Sequence, residues 1–454
     1  MTSAKRIQFM QTWTRRSLAA AVAVFALAAC DETLTVEPVN EVEVKEAIID
    51  AVSARAALAG IYDALQDGSY YGGDFNFFLE LPTDNAEHSG TFTTYADVDK
   101  HVTAADNSTI EGMWDAIYST IGRANTVIAL VPGVAALGDD EKNDIVGQAY
   151  ALRALAFHDL TKIWGPIPIR TAPADDLAEL ATTERAPVNT VYTQILADLT
   201  KAETMLSDDF RIQKASRGFV HALRSRVELY RANWAAAEAA ALATANDGYE
   251  LAGDFTDLFT DEGSETSEDI LRASFTATEF NNLGFYYQSK SFGGRWELAP
   301  TANAMNMYEA GDARRAWTLK LDSRGRRYVN KYPTTVGAED LHIIRFGEVL
   351  LNLAEAQARQ GKLSQAVDTY NQLRERAGVA AHALGVDVTT QQEVLNAVWT
   401  ERRRELAYEG DRWPDLVRTG RAVTVLGIAS FRTLFPVPTN EIDVAPRMTQ
   451  NPGY

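Results

Sequence analysis

Residues 341–378 constrain the fold more than any other stretch, because they combine two helical periods with one short break. The first half, 341–360, is apolar around most of its circumference, which is typical of a helix covered on several sides. Gly361 then supplies a residue that ends a helix easily, and apolar side chains recur at helical spacing from Leu363 onward. The stretch therefore predicts a tetratricopeptide-type helical hairpin, whose apolar face needs further hairpins to stack on it.

The same helical periodicity returns elsewhere in the chain. It predicts helices over 44–67, 141–163, 188–206, 215–231, 235–246 and 390–409. Residues 248–340 differ, because strand-like pieces such as 270–275 alternate with Gly, Asn and aromatic residues. We therefore expect a mainly α fold. Tetratricopeptide-like hairpins would form a right-handed superhelical scaffold, with an irregular, loop-rich subdomain carrying short strands.

The N-terminus has the pattern of an export signal. Residues 1–29 contain four basic and no acidic residues, and end in twelve apolar residues, too few to span a bilayer. The run closes as Leu27-Ala28-Ala29-Cys30, which resembles the lipobox of bacterial lipoproteins. The sequence predicts a signal peptide over 1–29, lipidation of Cys30 and a tether over 30–45. Sec and twin-arginine export stay open, as does retention at the inner membrane through Asp31.

Charge and motif content exclude several functions. The net charge of −19 argues against nucleic acid as a partner, and the single cysteine excludes an internal disulfide. The six histidines are scattered and no metalloprotease, serine-hydrolase or nucleotide-binding spacing occurs. We therefore expect no catalytic residues, no metal and no cofactor. A glycoside hydrolase stays open as an alternative, because 62 acidic residues make some pair of carboxylates inevitable by chance.

Two stretches mix aromatic rings with Gly and polar side chains, as carbohydrate-binding surfaces do. The candidate ligand contacts are Tyr70, Tyr71, Phe92 and Tyr95 in the first stretch, and Phe292, Arg295 and Trp296 in the second. The competing interpretation is that these rings pack the core beneath the loops. The acidic composition disfavours an anionic polysaccharide unless a local basic patch, such as Lys290 with Arg295, offsets it.

Two charged motifs have a structural and a functional interpretation. The run from Glu401 to Glu405, with three consecutive arginines, allows an anion site, but alternating charge on a helix favours a salt-bridge network. Asp84-Asn85 allows calcium binding, but one pair falls far short of the six to eight oxygens that Ca²⁺ requires.

Short motifs spread from the leader to the last residue match, in the same order, the motifs of one protein family. They are Cys30; Trp114, Tyr118 and Asn125; Leu152-Arg153-Ala154, Leu160 and Trp164-Gly165-Pro166-Ile167-Pro168; Val191-Tyr192, Ile195, Asp198-Leu199 and Ala202; Tyr249, Leu251 and Phe255; Ala299-Pro300-Thr301, Asp312 and Arg314-Arg315; Lys331-Tyr332; Arg345, Glu348-Val349-Leu350-Leu351 and Ala354-Glu355-Ala356; Glu401-Arg402-Arg403-Arg404-Glu405-Leu406, Glu409-Gly410, Arg412-Trp413 and Asp415-Leu416; and Gln450-Asn451-Pro452-Gly453-Tyr454. In this order the chain resembles the SusD/RagB family of outer-membrane nutrient-binding lipoproteins.

The resemblance implies a surface-exposed, non-enzymatic lipoprotein of the outer membrane. It would bind nutrient oligosaccharides, or peptides, and deliver them to a SusC-like, TonB-dependent transporter. The implied organisation is a SusD-like helical region over 46–247, a loop-rich ligand-face subdomain over 248–340 and a C-terminal SusD/RagB region over 341–454. The first alternative is a tetratricopeptide-type scaffold that binds only protein.

Overall fold

The structure, a computed structural model, describes residues 46–173, 182–260 and 265–454. Residues 48–454 form one compact unit. The predicted signal peptide, the lipidation site Cys30 and the tether lie outside the described residues. No helix in the described ranges has both the length and the apolar character needed to cross a bilayer.

The fold is mainly α. The helices are α1 (Ala51–Leu65), α2 (Asp74–Glu80), α3 (Thr93–Asp99), α4 (Ser108–Leu130), α5 (Asp139–Trp164), α6 (Val188–Met205), α7 (Arg217–Tyr230), α8 (Trp234–Asn246), α9 (Leu283–Tyr287), α10 (Ala302–Met305), α11 (Ala313–Thr318), α12 (Phe346–Arg359), α13 (Leu363–Arg376), α14 (Gln391–Glu405), α15 (Arg412–Arg418), α16 (Ala422–Leu426) and α17 (Thr439–Val444). The helices predicted over 141–163, 188–206, 215–231 and 235–246 are thus confirmed to within two residues at each end, whereas the first begins seven residues later than predicted and the one over 390–409 ends four residues earlier.

Within the described ranges, short strands make three antiparallel pairs. The strands are β1 (Ala86–His88), β2 (Asp269–Ala273), β3 (Leu298–Pro300), β4 (Leu319–Leu321), β5 (Arg327–Val329) and β6 (Leu341–Arg345). β1 pairs with β3, β2 with β6 and β4 with β5. The first two pairs join distant parts of the chain, so they attach the loop-rich region to the helices on both sides.

Helical hairpins stack through their apolar faces, as the sequence predicts. α5 packs on α6, α7 on α8, and α12 on both α13 and α8. The hairpin α7–α8 therefore stacks on α12–α13, although about a hundred residues separate them in the chain. Ala354, Ala358 and Ala366 are fully buried at the α12–α13 contact, and Gly361 has φ 78° in the break between the two helices. The expectation of tetratricopeptide-like hairpins is confirmed.

One expectation for the central stretch is wrong. Residues 341–345 form strand β6, and helix α12 begins only at Phe346. A short apolar run fits a buried strand as well as a buried helix, so periodicity alone did not separate them. The partner strand decides the outcome: β2 aligns Leu271 with Ile344 and Ala273 with Leu341.

Candidate functional site

Strand pairing brings the two aromatic stretches of the sequence together. β1 lies antiparallel to β3, with Ala86 opposite Pro300 and His88 opposite Leu298. The segment that follows β1 therefore lies beside the segment that precedes β3. The backbone N–H groups of Ser89 and Gly90 donate to the carbonyl of Glu297 at 2.9 and 3.2 Å and extend this contact.

We define the aromatic surface as Phe92, Phe285, Phe292, Arg295 and Trp296. Phe292 is 56% exposed and Phe285 36%, whereas Phe92 and Trp296 are half-buried. The guanidinium of Arg295 lies over the ring of Phe92 at 3.9 Å, and the ring of Phe292 contacts Tyr328 at 5.4 Å. Exposed rings beside a stacked guanidinium suit the apolar face and the hydroxyl groups of a sugar.

Trp296 is held in an unusual backbone conformation. Its φ is 57°, in the left-handed region, which is a genuine outlier for a bulky residue and costs about 1–3 kcal/mol. Two contacts fix the indole: its Nε1–H donates to the carbonyl of Arg327 at 2.9 Å, and the guanidinium of Arg326 lies over the ring at 5.1 Å. The indole is therefore positioned before any ligand arrives.

A buried carboxylate joins the two segments of this surface. The side chain of Glu297 has no exposed area, and one of its oxygens accepts from the backbone N–H of Thr91 at 2.7 Å and of Phe92 at 2.5 Å. The other oxygen accepts from Arg295 Nε at 3.0 Å. Burial alone raises the pKa of a carboxyl group, but the hydrogen bonds outweigh burial here and lower the pKa of Glu297. The ionised carboxylate thus fixes Phe92 and Arg295 relative to each other.

Three of the predicted ligand contacts need correction. Tyr70, Tyr71 and Tyr95 are at most 4% exposed, so their rings cannot stack on a sugar in this structure. The hydroxyls of Tyr70 and Tyr71 both donate to Asp159, at 2.6 and 2.8 Å, and the hydroxyl of Tyr95 donates to Asp74. Buried polar groups need such partners, and these tyrosines therefore act as packing residues. Ligand contact by Phe92, Phe292, Arg295 and Trp296 stays a prediction.

The Glu401–Glu405 run belongs to a buried network of ion pairs. The carboxylate of Glu405 is fully buried and contacts three guanidinium groups: Arg314 at 2.9 Å, Arg345 at 2.6 Å and Arg376. Arg402 is buried as well and pairs with Asp415 at 2.5 Å. The structural interpretation of this motif is therefore confirmed.

The Asp84-Asn85 pair is likewise occupied by protein groups. Asp84 pairs with Arg412 at 2.7 Å and with Arg403 at 3.0 Å. Asn85 Nδ2 donates to Glu80 at 3.0 Å, and its Oδ1 accepts from Arg403 at 2.8 Å. These contacts use the oxygens that a calcium ion would need. Among the described residues no group of three or more potential metal ligands occurs.

Sequence reasoning missed two features. Arg326 and Arg327 reach Trp296 through the β4–β5 hairpin, a contact that no local pattern reveals. A cleft of about 330 Å³, lined by Asp63, Asp67 and the 57% exposed ring of Phe280 among others, lies beside α1. A Phe that follows Glu279 in a loop gives no sequence signal of a cleft.

Comparison with known proteins identifies the family of the chain. A family model described as starch-binding and associating with the outer membrane matches residues 35–229, and a SusD family model matches residues 272–429. Together the two models span most of the chain.

Individual relatives align with this chain, some over nearly its full length and others over part of it. SusD-like protein P38 of Formosa agariphila is 26% identical over 502 residues, covering 95% of this chain and 97% of that protein. The starch-binding protein SusD of Bacteroides thetaiotaomicron is 33% identical over 136 residues, covering 27% of this chain and 22% of that protein. A SusD superfamily protein from Bacteroides vulgatus shares the fold, with a TM-score of 0.81 at 21% identity, covering 89% of this chain and 99% of that one. The chain belongs to the SusD/RagB family.

Proposed function

We propose that this protein binds oligosaccharides at its aromatic surface and delivers them to a TonB-dependent transporter of the outer membrane. The observation that carries the binding proposal is Trp296, whose indole is kept half-exposed by two contacts despite a strained backbone. Strain of this kind collects at ligand sites, where the surrounding structure maintains it. Membership of a family that includes a starch-binding protein supports the same ligand class.

The protein would act by binding and not by hydrolysis. A retaining glycosidase needs two carboxyl groups about 5–5.5 Å apart that can reach the sugar. The acids beside the aromatic surface are already engaged: Glu297 accepts from backbone and side-chain donors, Asp322 accepts from Arg326 at 2.7 Å, and Glu87 pairs with Arg327 at 2.5 Å. The side chains of Glu297 and Asp322 are fully buried, and that of Glu87 is 42% exposed. These carboxylates are suited to holding loops in place.

Truncating Trp296 tests the binding proposal. Trp296→Ala should weaken oligosaccharide binding about 10- to 100-fold, because removal of an anchoring aromatic costs about 1.4–3 kcal/mol. A glycan array identifies the ligand and isothermal titration calorimetry measures its affinity. Trp296→Asn is a second variant, since Asn tolerates the left-handed backbone.

Phe210→Ala is the matched control for this experiment. Phe210 is 48% exposed and contacts Tyr249 at 4.8 Å, outside the aromatic surface. Its truncation should leave the affinity unchanged. Equal affinities of Trp296→Ala and the wild type for every bound glycan would refute the proposed site. Binding to peptides alone would move the ligand class to peptides.

The partnership with a transporter has its own test. The mature protein, lipidated at Cys30 and carrying a C-terminal tag, should recover a large TonB-dependent barrel from native outer membranes. Release of the protein from the membrane by Cys30→Ser would support the lipid anchor. Recovery of other proteins but no barrel, together with failure to bind any glycan, would favour the protein-binding tetratricopeptide scaffold.

A further inference from the structure

The aromatic surface carries a local excess of positive charge on a strongly acidic protein. Five cationic side chains from two segments, which we call the basic rim, lie on or beside it: Lys290 and Arg295 in one segment, and Arg324, Arg326 and Arg327 in the other, whose turn contacts Ser291. Three acids pair with members of the rim: Glu87 with Arg327, Glu297 with Arg295 and Asp322 with Arg326. The rim therefore has two more cations than paired acids, whereas the whole chain has 43 basic and 62 acidic residues.

Two of the four arginines of the rim are positioned by buried acids. Glu297 holds Arg295 through its Nε at 3.0 Å, and Asp322 holds Arg326 through its Nε at 2.7 Å. The two acids have no exposed area, whereas the side chain of Arg295 is 37% exposed and that of Arg326 is 23% exposed. Each pair thus buries its carboxylate and presents part of a guanidinium to solvent beside Phe92 or Trp296.

The remaining members add accessible charge. Arg327 pairs with Glu87 at 2.5 Å at a partly exposed position. Lys290 and Arg324 are exposed and have no ion-pair partner within the part of the chain that the structure describes. Arg324 lies in the turn between β4 and β5, where its backbone N–H donates to Asp322 at 2.9 Å. The turn is therefore fixed while the charge of Arg324 stays free.

We propose that the aromatic surface binds polyanionic oligosaccharides, which carry sulfate-ester or uronate-carboxylate groups, and this rests on the proposed function above. Guanidinium groups make strong, charge-assisted hydrogen bonds to such oxygens, and rings of Trp and Phe cover the carbon faces of the same sugars. The net negative charge of the protein does not oppose this binding at short range. Charges beyond about 8 Å are screened at physiological ionic strength, so the nearby rim dominates.

The test compares charged and neutral oligosaccharides of similar length on the mature protein. The probes are an oligogalacturonate, a sulfated carrageenan oligosaccharide and a malto-oligosaccharide, titrated by calorimetry. At least one anionic probe should bind about 10-fold or more tightly than the neutral one. Its affinity should also fall several-fold between about 20 mM and about 300 mM NaCl, because salt screens exposed charges. The two anionic probes distinguish sulfate from carboxylate recognition.

Charge-removing variants localise the effect. The double variant Lys290→Gln/Arg324→Gln should weaken binding of the anionic probe about 2- to 30-fold at low salt, because it removes two exposed charges that can each pair with an anionic group of the ligand. Neither residue pairs with a described acid, so the fold should be unaffected. The control Lys201→Gln/Lys214→Gln removes two other exposed lysines and should leave the affinity unchanged.

The outcomes separate the two proposals. If the neutral probe binds as tightly as the anionic ones, and Trp296→Ala abolishes that binding, the polyanion proposal is refuted while the binding function stands. Salt-independent binding of the anionic probe, or equal losses in the rim variant and the lysine control, would refute it too. If no glycan binds the wild type, both proposals fail together.

Discussion

Gly90 offers a way to disturb the aromatic surface without changing any charge. A Cβ atom added at Gly90 would lie 2.1 Å from one carboxylate oxygen of Glu297, 2.2 Å from its carboxyl carbon and 2.5 Å from the other oxygen. Ordinary contacts to a Cβ begin near 3.4 Å. The carboxylate would have to move by about 1 Å or more, which its flexible side chain permits.

This displacement should break the link between the two segments. Glu297 accepts hydrogen bonds of 2.5–3.2 Å from Phe92, Thr91, Arg295 and His88, and a shift of about 1 Å carries several beyond hydrogen-bonding distance. Each typical bond contributes about 1 kcal/mol net. We therefore expect Gly90→Ala to lower the free energy of unfolding by about 1–3 kcal/mol and to weaken ligand binding about 5- to 10-fold.

The assay combines urea unfolding, ligand titration and hydrogen exchange of the amides of Thr91 and Phe92, which both donate to Glu297. Those amides should exchange faster in Gly90→Ala by local opening, while amides of α12 should change only as far as the fall in the free energy of unfolding requires. Gly253→Ala is the control, because a Cβ there meets nothing within 4 Å and the backbone is not in the left-handed region. Glu297→Gln adds a second test, since its effect on stability should be less than additive with Gly90→Ala.

Two results would refute this reasoning. One is a Gly90→Ala protein with wild-type stability and wild-type exchange at Thr91 and Phe92, which would mean that the carboxylate is not a structural link. The other is additivity with Glu297→Gln, which would place the two effects in separate interactions. A fall in affinity without faster exchange would indicate that Gly90 itself contacts the ligand.

Two further predictions concern buried carboxylates. Glu405→Gln should lower the free energy of unfolding by about 3–5 kcal/mol in urea titrations, because it leaves three buried guanidinium groups without their shared anion. The control Glu184→Gln, at an exposed ion pair, should change the free energy of unfolding by less than about 1 kcal/mol. Burial raises the pKa of Glu80 to about 8, so its contribution to stability is full at acidic pH and is lost as pH rises through 8. Between about pH 6 and about pH 9 the wild type should lose about 2–4 kcal/mol more than Glu80→Gln, and equal losses would contradict the shift.

The sequence was most informative where structure depends on near neighbours. Helical periodicity located the hairpins because the apolar face of a helix depends on residues only three or four positions apart in the sequence. The same criterion failed at 341–345, where the apolar run has both periods and a strand some seventy residues earlier settles the conformation. The boundaries of the three regions proposed from the sequence, 46–247, 248–340 and 341–454, stay predictions.

Long-range partners explain the errors at the site. Tyr70 and Tyr71 sit among Gly and polar residues, as ligand-binding rings do, but their hydroxyls are bound by Asp159, nearly ninety residues away. No residue near these tyrosines in the sequence indicates that Asp159 is their partner. Arg326 and Arg327 were missed for the same reason, since only the fold brings them to Trp296.

A buried ion pair helps to hold the segment that carries most of the aromatic surface. Lys331 donates to the carbonyl of Ala407 at 2.8 Å and pairs with Glu409 at 2.5 Å, which fixes the chain just after α14. The next residue, Tyr332, stacks on Tyr287 at the end of α9, with ring centroids 6.1 Å apart.

The segment that carries Phe292 and Trp296 leaves α9 directly after that stacked ring. The helical scaffold therefore holds one end of this segment, and the β1–β3 pairing holds the other. Between these anchors, Glu297 sets the position of Phe92 and Arg295. A change at Gly90, between the anchors, should consequently alter ligand binding in a protein that remains folded, whereas a change at Glu405 disturbs one anchor together with the core and should lower ligand binding and stability together.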